Sequence, residues 1–173
     1  SRDHLEYHRT MRRYQEAKAR LFAWETLRHA VVNLDDGFGA ELARRVRRPG
    51  LDVIGYGFNA GRIAQVSGAH VVSHARGVSF DVRTPWGAAR VTGPVPGRHN
   101  VLNALAAVAM ARELGVAFTD VTRAMGGFHG AERRFQRRGE AKGVTVVEDY
   151  GHHPTEVAAV IAAAGPIAAE RLV

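Results

Sequence analysis

Three stretches of the chain combine residue types that do chemistry with spacings that let them act together. The first runs from Ser1 to Phe22 and carries His4 and Lys18, fourteen residues apart. In one straight helix that separation is ~21 Å, too long for a shared ligand. A helix that starts only near Thr10 leaves His4 in a preceding loop that can fold back. Its imidazole then either serves a metal ion or is a plain surface histidine, and the residues alone leave both readings open. The second stretch is Gly97-Arg98-His99-Asn100-Val101-Leu102-Asn103-Ala104. Asn100 and Asn103 share a face at a helix start, and an asparagine amide offers the donor and acceptor that an adenine edge requires. Asparagine also caps helix starts, so a purely structural reading stands beside it. The third is Glu132-Arg133-Arg134-Phe135 together with Glu148-Asp149-Tyr150-Gly151-His152-His153-Pro154-Thr155-Glu156. The latter runs from a strand end into a helix start, where open α/β sheets hold their ligands. Paired arginines nearby suit phosphate, because a guanidinium is a planar multiple donor. Capping alone does not account for a carboxylate, two histidines and a threonine at one turn.

The elements that must hold these residues follow an α/β rhythm. Thr10 is placed to N-cap a helix over Met11–Phe22. Ala30–Leu34 reads as a buried strand that ends at the turn Asp35-Asp36-Gly37, with a helix over Phe38–Val46 and a second strand over Asp52–Phe58. Helix, strand, helix, strand is the order of a parallel α/β sheet. His70–His74, Val78–Arg83 and Ala88–Thr92 are short strands of an antiparallel meander laid on that body. The chain is then broken by Pro94, Pro96 and Gly97. A long alanine-rich helix follows over His99–Leu114, closed by Gly115. A helix over Thr119–Met125 ends at Gly126-Gly127, the expected domain boundary. Gly143–Glu148 is a strand and Pro154–Ala164 a helix with proline in its first turn.

Bulk composition narrows the function classes. The chain has 173 residues, 46% of them hydrophobic and 24% charged, an ordinary globular balance. It has no cysteine, so disulfides, thiolate metal sites and a cysteine nucleophile are excluded. No apolar run approaches the ~20 residues that span a bilayer, and the first residues do not resemble a signal peptide. Membrane insertion is therefore not expected, and a cytoplasmic location is. The net charge of +7 fits a solvated basic face, an anionic small ligand or nucleic acid. The arginines lie in scattered pairs and the aromatics show no stacking pattern, so nucleic acid is not the expected partner.

Taken together, the three stretches resemble the Mur ligase family, which adds amino acids to UDP-N-acetylmuramic acid in peptidoglycan synthesis. Residues 1 to about 90 resemble the third-residue ligase, through Ser-Arg-Asp-His-Leu-Glu-Tyr-His, Tyr-Gln-Glu-Ala-Lys-Ala-Arg-Leu-Phe, Asn-Leu-Asp-Asp and Arg-Thr-Pro-Trp-Gly. That enzyme adds diaminopimelate or lysine to UDP-N-acetylmuramoyl-L-alanyl-D-glutamate. From about residue 94, Gly-Arg-His-Asn-Val-Leu-Asn-Ala-Leu-Ala-Ala, Arg-Arg-Phe-Gln and Asp-Tyr-Gly-His-His-Pro-Thr-Glu are similar to the first-residue ligase, which joins L-alanine to UDP-N-acetylmuramate. The third-residue enzyme would more usually carry phenylalanine at His99.

The resemblance implies an α/β fold: residues 1–127 as an N-terminally truncated central ATPase domain, and 128–173 as the beginning of a Rossmann-like C-terminal domain. It implies ATP and Mg2+ as cofactors, and a UDP-N-acetylmuramoyl precursor and an amino acid as substrates. Lys18 matches a lysine that the family carbamylates, and His4 a second ligand of the same magnesium ion. Asn100 and Asn103 match adenine contacts, Arg134 an arginine reaching the nucleotide, and Asp149 a carboxylate near the ribose. His152 falls in the same motif at the nucleotide end. The implied activity is amide formation through an acyl phosphate, with the diaminopimelate- or lysine-adding member favoured over the L-alanine-adding one. Against this stands the lack of any Gly-x-x-x-x-Gly-Lys-Ser/Thr. A non-catalytic nucleotide-binding module is therefore the alternative of another class, and a basic nucleic-acid-binding domain a more distant one.

Overall fold

The computed structural model describes residues 5–58, 64–74, 77–168 and 171–173, with side chains from Tyr7 onward. A single turn, α1 (Leu5–His8), precedes α2 (Met11–Ala19), which Thr10 caps by accepting the Arg13 N–H at 3.2 Å. The helix is shorter than the sequence suggests. Arg20–Ala23 tightens into a 3-10 turn, and the Arg48 guanidinium fastens its end by donating to the carbonyls of Phe22 (2.7 Å) and Trp24 (2.5 Å).

A five-stranded mixed sheet forms the body, in the order β1 (His29–Asn33), β2 (Asp52–Gly57), β3 (Val66–His74), β4 (Gly77–Thr84), β5 (Gly87–Gly93). The pairings β1–β2 and β2–β3 are parallel, while β3–β4 and β4–β5 are antiparallel. The meander is thus not a layer laid on the α/β body but the continuation of its sheet. β3 makes the join. It begins four residues earlier than its β-branched pattern predicts, because Val66 and Ser67 pair with Tyr56 and Gly57 of β2. Between Ala69 and Val72 its register with β4 shifts, and His70 there has a φ of 47°. The Asp81 carboxylate steadies this bulge, with one oxygen 2.7 Å from His70 Nδ1 and the other accepting from Arg90 at 2.9 Å.

The crossover from β1 to β2 contains α3 (Gly37–Arg45), N-capped by Asp36, whose carboxylate accepts the Gly39 N–H at 2.9 Å. Gly39 must be glycine, because a Cβ would lie 2.0 Å from the Asn33 carbonyl oxygen. The other main helix, α4 (Arg98–Glu113), lies on the sheet. It buries Val101, Leu105, Val108 and Ala109 against Ile54, Val66, Val78, Phe80, Val82 and Val91. A second helix, α5 (Phe118–Gly126), packs on β5 and α4.

Beyond Gly127 lie an antiparallel hairpin, β6 (Gln136–Ala141) with β7 (Val144–Glu148), and α6 (Pro154–Ala164). A small core joins Phe135 to Ala163 and Ala164 of α6. β6 was not expected, since Gln-Arg-Arg-Gly-Glu-Ala contains no residue that favours strands. Its pairing with the valine-rich β7 supplies what its own propensity lacks. No helix among the described residues is long and apolar enough to cross a membrane.

Leu105 is fully buried at the centre of the main core. Leu105→Ala is expected to destabilise the chain by about 2–5 kcal/mol. The check is a lower urea midpoint with an unchanged m-value.

Candidate functional site

The alanine spacing of α4 gives the helix two different faces. Val101, Leu105 and Val108 point to the sheet, while Asn100, Asn103, Ala104, Ala107 and Ala111 line a cavity of about 1160 Å³. Val78, Phe80 and Val91 of the sheet, Val121 and Met125 of α5, and Thr155, Glu156 and Ala159 of α6 complete most of the wall. Its polar lining includes Asn100, Asn103, Arg134 and Asp149, with His99 near the last two, besides Asp120, Thr155 and Glu156. These four predicted residues come from α4, the loop after α5 and the loop after β7, and the fold brings them into one cavity.

Each is held differently. Asn100 is not a cap. The helix N-cap is Gly97, with no side-chain bond, and the Asn100 amide donates to the Pro96 carbonyl at 2.7 Å. Its carbonyl oxygen and second N–H remain available. The Asn103 amide makes no hydrogen bond among the described residues and is exposed to the cavity. Arg133 is spent on structure: its guanidinium donates to Glu148 at 3.1 Å and lies over the Tyr150 ring at 4.7 Å. Arg134, by contrast, has a guanidinium without a partner among the described residues, at the cavity edge. Asp149 accepts two backbone N–H groups, from Phe135 at 2.8 Å and from Gly151 at 2.7 Å. Arg133 and Phe135 both have left-handed φ values, 57° and 49°. Asp149 therefore fixes a strained segment whose middle residue is Arg134.

His99 was quoted within the asparagine motif but given no role. It is half-buried in the same cavity, and burial holds its imidazole below its ordinary pKa; Asp149 opposes that shift and Arg134 adds to it. The ring folds back over Gly97, whose φ is 103° and where a Cβ would sit 2.7 Å from His99 Cε1. The legible signal was this glycine two residues before the histidine.

The other predicted residues stand apart from this group. His152 does not line the cavity. It is exposed, with Nδ1 3.1 Å from the Tyr150 carbonyl oxygen and its backbone N–H donating to Glu156 at 3.2 Å. His153 is the N-cap of α6 and forms a reciprocal capping box with Glu156. Lys18 is exposed on α2, its Nζ 5.1 Å from the centroid of the Tyr14 ring. As an ammonium it cannot ligate a cation; as a carbamate it would present oxygens. His4 lies outside the described residues.

Comparison with known proteins places this arrangement. The Mur ligase middle-domain model matches residues 1–111, and the Mur ligase glutamate ligase domain model matches residues 133–173. The chain belongs to the Mur ligase family. It is 38% identical over 154 residues to UDP-N-acetylmuramoyl-L-alanyl-D-glutamate--2,6-diaminopimelate ligase of Chromobacterium violaceum, a match covering 89% of this chain and 31% of that protein. It is 40% identical over 174 residues to UDP-N-acetylmuramate--L-alanine ligase of Paramagnetospirillum magneticum, covering 94% of this chain and 35% of that one. Among solved structures, MurF from Acinetobacter baumannii superimposes with a TM-score of 0.80 at 26% identity, over 92% of this chain and 34% of that one. The chain thus spans about a third of the length of the Mur ligases it matches, and ligases of two different amino-acid specificities match it about equally well.

Because folding depresses the His99 pKa, the unfolded chain binds the extra proton first as pH falls. Stability contributed by the neutral ring is present above the ordinary histidine pKa and is lost as pH drops towards the folded value. The urea midpoint of the wild type is expected to fall between pH 7 and pH 5, and His99→Phe to fall less. Identical pH profiles would contradict this placement of the imidazole.

Proposed function

We propose that this chain supplies the adenosine end of the ATP site in an amide-forming ligase of peptidoglycan precursor synthesis. The observation that carries the reading is the convergence of Asn100, Asn103, Arg134 and Asp149 on one cavity. Its volume of about 1160 Å³ is ample for a nucleotide, and a mostly apolar wall with a small number of polar groups is the usual construction of a ligand site. Asn103 and the free acceptor of Asn100 would read the adenine edge. The unpaired Arg134 guanidinium would meet phosphate, as the residue type suits. Asp149 would accept from a ribose hydroxyl with the lone pairs its two backbone bonds leave over. His152, outside the cavity wall, is assigned to the same end by its motif alone.

ATP bound there would supply the phosphoryl group that turns a substrate carboxylate into an acyl phosphate, which an amino group displaces with loss of phosphate. Lys18, once carbamylated, and His4 are the proposed magnesium ligands. Lys18 suits this role because its Nζ is exposed, with no hydrogen bond or ion pair among the described residues. The proposed substrates are a UDP-N-acetylmuramoyl precursor and an amino acid, and the proposed compartment is the cytoplasm. We divide the chain at Gly126-Gly127 into a central ligase domain over 1–127 and the start of the C-terminal domain over 128–173. Diaminopimelate or lysine is the favoured amino acid, because the Lys18 segment is the one that resembles the third-residue enzyme; L-alanine is the alternative.

Calorimetry with ATP tests the site directly. A hydrogen bond to a charged group is worth ~1.5–3 kcal/mol and a neutral one ~0.5–1.5 kcal/mol, so Arg134→Ala is expected to weaken binding by roughly tenfold or more and Asn103→Ala by roughly two- to tenfold. Unchanged affinity in both variants would move the nucleotide elsewhere. Turnover is a separate question: in a full-length ligase containing this segment, Lys18→Ala is expected to abolish most ligation while leaving ATP affinity within a few-fold. Undiminished ligation would remove the carbamate assignment.

A further inference from the structure

We propose that His29, Asp52 and Glu113 form a binding site for a divalent transition-metal ion, zinc being the first choice, at the strand-start end of the sheet. Each residue comes from a different element. His29 opens β1, Asp52 opens β2 and is its Cα partner in the parallel ladder, and Glu113 closes α4. One ligand atom from each, an imidazole nitrogen and two carboxylate oxygens, lies within 4.8 Å of the other two. This site shares no residue with the cavity described above.

The charge balance favours an ion. His29 Nδ1 already faces Glu113 Oε2 as an ion-pair contact. The Asp52 carboxylate has no hydrogen-bond or ion-pair partner among the described residues, although its backbone N–H is tied to the Arg28 carbonyl at 2.8 Å. A neutral imidazole and two carboxylates carry two negative charges, which one divalent cation balances. The backbones are fixed: His29 and Asp52 by the ladder, Glu113 by a helix whose preceding turns are buried. Closing a tetrahedral site with ~2.0–2.1 Å bonds requires donors ~3.4 Å apart, so only side-chain rotation is needed. Beside the triad a cleft of about 550 Å³, lined by Arg28, His29, Gly50, Leu51 and Asp52, leaves room for a water as fourth ligand. Arg28, which lines the cleft, is a charge set against a cation, and its guanidinium lies towards Gly50, 3.7 Å from where a Cβ would stand.

The donor set selects the ion. Imidazole disfavours magnesium and calcium, which take oxygen ligands, and the order of affinities among first-row divalent ions favours the later metals. The expected consequence is structural: an ion held there clips β1, β2 and α4 together.

Calorimetric titration of the metal-free 173-residue chain with Zn2+ should reveal one site that His29→Ala and Asp52→Asn each weaken at least tenfold. Free zinc at a hundredfold excess over the wild-type Kd should raise the wild-type Tm by about 5 °C or more, and raise that of each variant by about half as much or less. Asp52→Asn removes no hydrogen bond or ion pair among the described residues, so its metal-free Tm should match the wild type and separate lost binding from lost folding. Zinc binding that is the same in all three chains, or absent from the wild type, overturns the proposal.

Discussion

The two hydrogen bonds accepted by Asp149 hold part of the cavity's polar lining together. Phe135 and Gly151 donate them; the first ties the loop after α5 to the turn between β7 and α6, and the second braces that turn. Without them the left-handed residues Arg133 and Phe135, each costing about 1–3 kcal/mol, would relax. The chain direction at Arg134 would change with them. Tyr150 adds a third tie by donating its N–H to the Arg133 carbonyl at 2.8 Å, and Gln136 a fourth by accepting the Arg133 N–H at 2.9 Å. Phe135, turned inward, then packs on Ala163 and Ala164. One carboxylate thus aims an arginine, seats a core residue and braces the turn that leads into α6. A residue with so many structural duties cannot be assigned a ligand role from a loss-of-function variant alone.

The cavity itself is a consequence of small side chains. On the sheet side of α4, valines and a leucine fill the core. On the cavity side the same helix presents Ala104, Ala107 and Ala111 below the two asparagines. Alanine keeps the helix stable at no side-chain entropy cost while withholding the volume that would close the space between α4 and α5. The apolar wall is therefore largely a property of the helix's own spacing; α4 also supplies Asn100 and Asn103, and the loops that follow add Arg134 and Asp149.

Much of this was legible before the fold was known. Capping residues and prolines placed α6 over Pro154–Ala164, as found, and Thr10, Gly97 and Gly115 bracketed α2 and α4 to within a residue or two at the capped ends. What escaped had no local signature. β6 is a strand because β7 pairs with it, and the first residues of β3 because β2 does; neither partner can be read from the segment itself. The same limit applies to the site. Of the two histidines in the turn Gly151-His152-His153-Pro154, the motif pointed to His152. One proves to be the helix cap and the other an exposed ring outside the cavity wall. His99 was hidden for the opposite reason, since its importance lies in a burial that only the packed cavity creates.

The nucleotide reading rests on two lines of reasoning that do not share premises. Asn100, Asn103, Arg134 and Asp149 were nominated by motif resemblance, with no knowledge of where the chain would carry them. The cavity is defined by packing, with no knowledge of motifs; all four line it, while His152, nominated for the same end, does not. Residues chosen for polarity alone would scatter over the surface, as Arg12, Arg123 and Arg137 do in their pairs with Glu16, Asp120 and Glu140. Lys18 gains no such support, because its partner His4 lies outside the described residues. The metal end of the ligase reading therefore depends on sequence pattern, and the adenosine end on sequence pattern and geometry together.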